Sequence, residues 1–125
     1  MRTSQSHDKR LSYGSMFSGI DAPYHALKTL GNDIKIDYHF AIENNLKVVE
    51  ILKRNARPGL LLQSDVQDVN LDLLPRVDLF ACSPPCQSFS SLGRRDPNDA
   101  RRELWRYGMR YVATKEPFYA IFENV

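Results

Sequence analysis

Cysteine is nearly absent from this chain, with two in 125 residues, Cys82 and Cys86. Four positions apart, they form neither a disulfide framework nor a C-x-x-C redox or zinc pair. Reduced, intracellular thiols are the expectation that follows. Histidine is scarce too, and His7, His25 and His39 are scattered, so no metal site is predicted. No apolar run approaches bilayer-spanning length and no secretory signal precedes the first strand, so no membrane association is expected. A G-x-G-x-x-G fingerprint is missing, which weighs against a nicotinamide-dependent oxidoreductase. One-sided charge is lacking as well. Seventeen basic side chains against 15 acidic ones leave a net charge of +2, too little to announce nucleic-acid binding.

What is present describes one globular domain. Apolar residues make up 42% and charged residues 26% of the chain, enough for a modest core and nothing that asks for disorder. Residues 1–10 are polar and are expected to be a flexible terminus, with the domain running over 11–125. The basic residues are unevenly placed. Arg94, Arg95, Arg101, Arg102, Arg106 and Arg110 cluster after Cys86. Such a cluster suits a phosphate-bearing substrate. A solvated loop and helix start is the commoner meaning of a basic run.

Strand and helix patterns alternate along the chain. Leu11 to Phe17 reads as a strand weakened by Gly14, and Ala22 to Leu30 as a helix stopped by Gly31-Asn32-Asp33. Tyr38 to Glu43 is a second strand. Asn45 to Asn55 is amphipathic, with Leu46, Val49 and Leu52 on one side and Asn44 or Asn45 able to cap it. Leu60 to Ser64, Val77 to Cys82 and Phe118 to Phe122 are further strands. Arg102 to Thr114 is a helix with Leu104, Gly108, Tyr111 and Val112 near one face. The alternation predicts an α/β fold, a mostly parallel sheet of about five strands with helices on both faces. Right-handed crossovers then bring every loop that follows a strand to one rim, where such sheets bind ligands.

The residues at that rim fit a nucleoside site. In Phe17-Ser18-Gly19-Ile20-Asp21, Gly19 permits close backbone approach and the helix that follows offers free N–H groups. Glu43 ends the second strand 24 positions after Gly19, and an acid there commonly accepts hydrogen bonds from ribose hydroxyls. A plain surface carboxylate is equally consistent with Glu43 alone. Asp65 could accept from an exocyclic amine, or simply cap the turn before Val66. Glu123-Asn124 sets a carboxylate beside an amide after the last strand. In Ser83-Pro84-Pro85-Cys86-Gln87-Ser88-Phe89-Ser90, a lone thiol follows two prolines at the mouth of a short buried strand. The prolines stiffen the approach to it, which suits a nucleophile. A buried cysteine in a proline turn is the bland alternative.

Taken together, these segments resemble the N-terminal half of the cytosine-5 DNA methyltransferase catalytic domain. Ser83 to Ser90 resembles that family's Pro-Cys-Gln nucleophile motif, Phe17-Ser18-Gly19-Ile20 its first cofactor motif, and Glu123-Asn124-Val125 its Glu-Asn-Val motif. Asp65-Val66 and Arg102-Glu103-Leu104-Trp105 also match segments of the family. The resemblance implies a partial Rossmann-like, S-adenosylmethionine-dependent methyltransferase fold. It implies cofactor contacts from Phe17, Ser18, Gly19, Ile20, Glu43, Asn44, Asp65, Val66, Pro84 and Leu104. It implies catalytic roles for Cys86, Glu123 and Asn124, with Cys86 attacking cytosine C6, Glu123 buried at N3 of the base and Asn124 orienting the Cys86 loop. Gln87, Ser88, Ser90, Arg94 and Arg95 would contact DNA carrying a flipped cytosine, inside the cell. The chain departs from the family at Asp21 and Ala22, where glycines are usual. It has no counterpart of the later Gln-Arg-Arg segment, the target-recognition region or the closing cofactor motif, so a complementary methyltransferase subunit is expected. A tRNA cytosine-5 methyltransferase, or an inactive remnant that only binds cofactor or a partner, is the alternative.

Overall fold

The computed structural model describes residues 9–30, 34–85, 98 and 103–124. Strand β1 (Lys9–Met16) leads to helix α1 (Ala22–Lys28), β2 (Ile34–Glu43), α2 (Leu46–Asn55) and β3 (Leu60–Gln63). Two one-turn 3-10 helices, Val66–Asp68 and Leu71–Leu73, precede β4 (Leu79–Cys82). Helix α3 (Trp105–Lys115) and β5 (Tyr119–Phe122) complete the order. The five strands form one sheet in the order β3-β2-β1-β4-β5, and every pair is parallel.

Each face of the sheet carries its own core. On one side Tyr13, Tyr38, Ala41, Leu79 and Ala81 pack with Tyr24 of α1 and Leu52 of α2. On the other, Met16, Phe40, Ile42, Phe80 and Cys82 pack with Tyr111 of α3 and with Val66, Leu74 and Val77. Helices therefore cover both faces. The β1–β2 register slips at His39, because Tyr13 pairs with Tyr38 while Gly14 pairs with Phe40. This bulge sends Tyr38 and Phe40 to opposite faces, where unbroken alternation would put them on the same one.

Gly14 does not weaken β1 as its type suggests. A Cβ there would lie 2.2 Å from the Phe40 ring, so the glycine makes room for that ring in the core. Strand β1 begins at Lys9, two residues inside the segment expected to be flexible, and β2 begins at Ile34 rather than Tyr38. An ion pair between Arg10 and Asp37 at 3.1 Å joins these early, polar turns of the two strands. Helix α1 stops at Lys28, where the Thr29 hydroxyl donates to Ala26 O at 2.7 Å, and Gly31 to Asp33 lie outside the described residues. Helix α3 starts at Trp105 rather than Arg102. It buries Gly108 and Tyr111 against the sheet, as its sequence predicts.

Candidate functional site

The strand order changes direction between β1 and β4, and the loops that leave the C-terminal ends of the strands meet beside that point. The loop after β1 is held in an unusual shape. Phe17, Gly19 and Asp21 all have positive φ, at 53°, 55° and 58°. Only glycine adopts that conformation freely, and a bulky residue such as Phe17 does so at a cost. Backbone and side-chain bonds to β2 hold the loop. Ser18 N donates to Ile42 O at 3.0 Å, and Ile42 N donates to the Ser18 hydroxyl at 3.1 Å.

Glu43 then ties three segments together. Its Oε2 accepts from Gly19 N at 2.8 Å and its Oε1 from Asn45 N at 2.9 Å. Both carboxylate oxygens are thereby aimed by backbone donors, and each keeps a further lone pair for a ligand. Asn45 itself caps α2, accepting from Lys47 N and Val48 N. Asp65 caps the first 3-10 turn, accepting from Gln67 N at 3.0 Å through Oδ1. Asp65 therefore caps the turn before Val66, as one of its two readings has it.

A cleft of about 220 Å³ opens among these loops. Of the residues expected to bind cofactor, Phe17, Gly19, Glu43, Asn44, Asp65, Val66 and Leu104 line it. Ser18 does not line it, since its hydroxyl is spent on β2, and neither does Ile20, which is 56% exposed. Pro84 is buried while its neighbour Pro85 lines the cleft. Ile42, Ser64 and Ser83 join Pro85 as lining residues outside the expected cofactor set. All four sit at or just beyond a strand's C-terminal end, which is the signal that could have found them. Two carboxylates, backbone groups and the apolar surfaces of Phe17, Ile42, Val66 and Leu104 offer both polar and flat apolar contacts to a nucleoside.

Glu123 and Asn124 do not line this cleft. Glu123 N donates to Cys82 O at 3.1 Å, so Glu123 leaves the sheet beside the start of Ser83-Pro84-Pro85. The Glu123 side chain is exposed, which corrects the expectation of a buried acid; the described residues supply no cover for it. Cys86, Gln87, Ser88, Ser90, Arg94 and Arg95 lie outside the described residues. Cys82 is fully buried, and burial pushes its thiol up to about 12, so it is an inert core residue. Among the described residues there is no His/Cys/Asp/Glu group arranged for a metal and no helix long and apolar enough to cross a membrane.

The family model for C-5 cytosine-specific DNA methylases matches residues 11–125. The chain belongs to this family. It is 32% identical over 117 residues to an orphan methyltransferase, M.Rho11sI, of Bacillus phage rho11s, covering 93% of this chain and 23% of that protein. It is 30% identical over 115 residues to the human tRNA (cytosine(38)-C(5))-methyltransferase, covering 88% of this chain and 29% of that protein. Among solved structures, the Dnmt2 methyltransferase of S. pombe superposes with a TM-score of 0.70 at 23% identity, over 93% of this chain and 34% of that one. These neighbours have the same Rossmann-like methyltransferase fold. The chain spans about a quarter to a third of the length of these relatives.

Proposed function

We propose that this chain is the cofactor-binding and nucleophile-bearing part of a cytosine-5 methyltransferase acting on DNA. The observation that carries the reading is the cleft in which Gly19, Glu43 and Asp65, from three successive strand ends, face one another. Ser83 and Pro85 line it as well, and Cys86 follows Pro85 in the sequence. S-adenosylmethionine, when bound, supplies the methyl group as an electrophile. Glu43 would hold the ribose hydroxyls and Asp65 the adenine amine, while Phe17, Val66 and Leu104 cover the apolar faces.

Cys86, as thiolate, would add to C6 of the cytosine, and the ring's electron pair would move to C5. Glu123 would hold N3 and the exocyclic amine as charge develops there. C5 would then take the methyl group, the broken bond's electron pair staying on sulfur as S-adenosylhomocysteine leaves. Loss of the C5 proton and expulsion of the Cys86 thiolate restore the C5–C6 double bond. The base has to leave the stack for this attack, and Gln87, Ser88, Ser90, Arg94 and Arg95 would meet the nucleic acid around it inside the cell. Among the described residues β5 is a sheet edge, with Phe118 69%, Tyr119 66% and Ile121 48% exposed. Such an edge favours a further strand from a complementary segment or subunit. The similarity to a human tRNA methyltransferase supports tRNA as the second substrate reading.

Titration of the chain with S-adenosylhomocysteine, followed by amide NMR, tests the cofactor assignment. Shifts concentrated at Gly19, Glu43, Asn44 and Val66 are expected. Saturating shifts confined to another surface would overturn it.

A further inference from the structure

Asp21 stands where this family usually has glycine, and it is the one buried carboxylate among the described residues. It is 1% exposed. Four donors from three elements converge on it. Tyr13 OH donates to Oδ1 at 2.5 Å, the Ser15 hydroxyl to Oδ2 at 2.6 Å, Tyr38 OH also to Oδ2, and Tyr24 N to Oδ1 at 3.4 Å. Burial, and then the Asp21 charge, push both phenols far above their ordinary range, so Tyr13 and Tyr38 remain donors. The network continues toward the cleft. With its proton on Asp21, the Ser15 oxygen accepts from the Ser18 hydroxyl at 2.7 Å. Ser18 in turn is bonded to Ile42, the residue before Glu43.

We infer that Asp21 is a positioning residue for the cofactor cleft, fixing the loop 17–21 so that Gly19 N meets the Glu43 carboxylate. This rests on the reading of the cleft as a nucleoside-cofactor site. A loop with three left-handed residues, two of them not glycine, reverts to easier backbone conformations unless its surroundings hold it. Asp21 supplies the hold, because one carboxylate joins β1, β2 and the start of α1, and a buried charge so fully bonded allows little movement. Glycine would satisfy φ at this position without any clamp. The chain instead uses an acid that tolerates the left-handed region only moderately, so a purely conformational role does not account for it.

The test separates the clamp from the φ requirement. Asp21→Gly keeps the backbone conformation and removes the carboxylate, and Asp21→Asn keeps the shape and removes the charge. Amide hydrogen exchange on the full chain without ligand reads the loop, and S-adenosylhomocysteine affinity reads the cleft. Both variants are expected to exchange Gly19 N–H at least tenfold faster, with core amides such as Phe80 unchanged after correction for global stability. Both should bind S-adenosylhomocysteine at least tenfold more weakly. If Asp21→Asn fails to fold, Tyr38→Phe, which removes one donor, is expected to show the same pattern more mildly. Asp21→Gly with wild-type Gly19 exchange would overturn the inference. Unmeasurable binding even with the remainder of a family catalytic domain supplied would count against the cofactor reading, while the exchange result on the chain would still decide the role of Asp21.

Discussion

Gly108→Ala sets two effects of opposite sign against each other. In an exposed helix interior the change would stabilise by about 1 kcal/mol, because glycine has the higher conformational entropy to lose. Gly108 is buried against the sheet, however. A Cβ there would lie 2.5 Å from Cys82 Sγ and 2.8 Å from Phe122 Cε1. Phe122 is 39% exposed and its ring can swing outward, but Cys82 is fully buried on a central strand and cannot. Overpacking of this kind costs roughly 1–3 kcal/mol. Moving α3 outward would also loosen Tyr111 from Phe80, whose ring centroids are 4.3 Å apart. The upper part of that range therefore applies. The expected net effect is a loss of about 1–2 kcal/mol, read as a lower urea midpoint with unchanged slope. Cys82→Ala removes the sulfur that the new methyl strikes. In that background Gly108→Ala should cost much less, giving a coupling of about 1 kcal/mol or more. A Gly108→Ala variant more stable than wild type, or a cost unchanged by Cys82→Ala, would refute the packing argument.

Three further outcomes are expected. Glu43→Ala should weaken S-adenosylhomocysteine binding by calorimetry roughly tenfold to a hundredfold, since hydrogen bonds to a charged group contribute about 1.5–3 kcal/mol; an unchanged affinity would remove the ribose role. Ser12 N and the Ser12 hydroxyl each donate to Asp78 Oδ2 at 2.8 Å, which holds the Asp78 carboxyl below its usual range. The folded value lies below the unfolded one, so this stabilisation is complete above about pH 4 and disappears as pH falls through the folded value. The gap in urea midpoint between wild type and Asp78→Ala should therefore narrow toward pH 3, and a constant gap would contradict it. Iodoacetamide at pH 8 should leave Cys82 unmodified in the native chain and label it only in denaturant, as judged by peptide mass spectrometry; equal labelling in both states would show that it is not a core thiol.

The parallel sheet and the rim that bears the cleft were legible because strand and helix periods alternate cleanly and each strand ends in a turn signal. Glu43 and Asp65 could be picked out for the same reason, since Glu43 ends the second strand and Asp65 follows the third. What stayed hidden depends on partners distant in sequence. Gly14 looks like a defect in β1 until Phe40 is placed across from it. The bulge at His39 leaves no local mark, yet it decides which core receives Tyr38. Asp21 reads as a departure from the family's glycine, and its clamp appears only when Tyr13, Ser15 and Tyr38 converge from two strands. Ile34-Lys35-Ile36-Asp37-Tyr38 alternates apolar and polar side chains as a half-buried strand does, so the earlier start of β2, paired with β1, was open to a sequence reading. Glu123 was expected to be buried because the family's chemistry wants a shielded acid, but the described residues around it provide no such cover.

The most direct test of the central claim joins this chain to, or mixes it with, a segment supplying the remainder of a family catalytic domain, and offers it S-adenosylmethionine and DNA containing 5-fluorocytosine. Fluorine at C5 prevents the final loss of a proton, so a nucleophile that has added to C6 stays attached. Peptide mass spectrometry should find the nucleotide on Cys86, dependent on the cofactor and absent from Cys86→Ser, with Cys82 unmodified. An adduct on Cys82, or methylation of cytosine that persists in Cys86→Ser, would contradict the account.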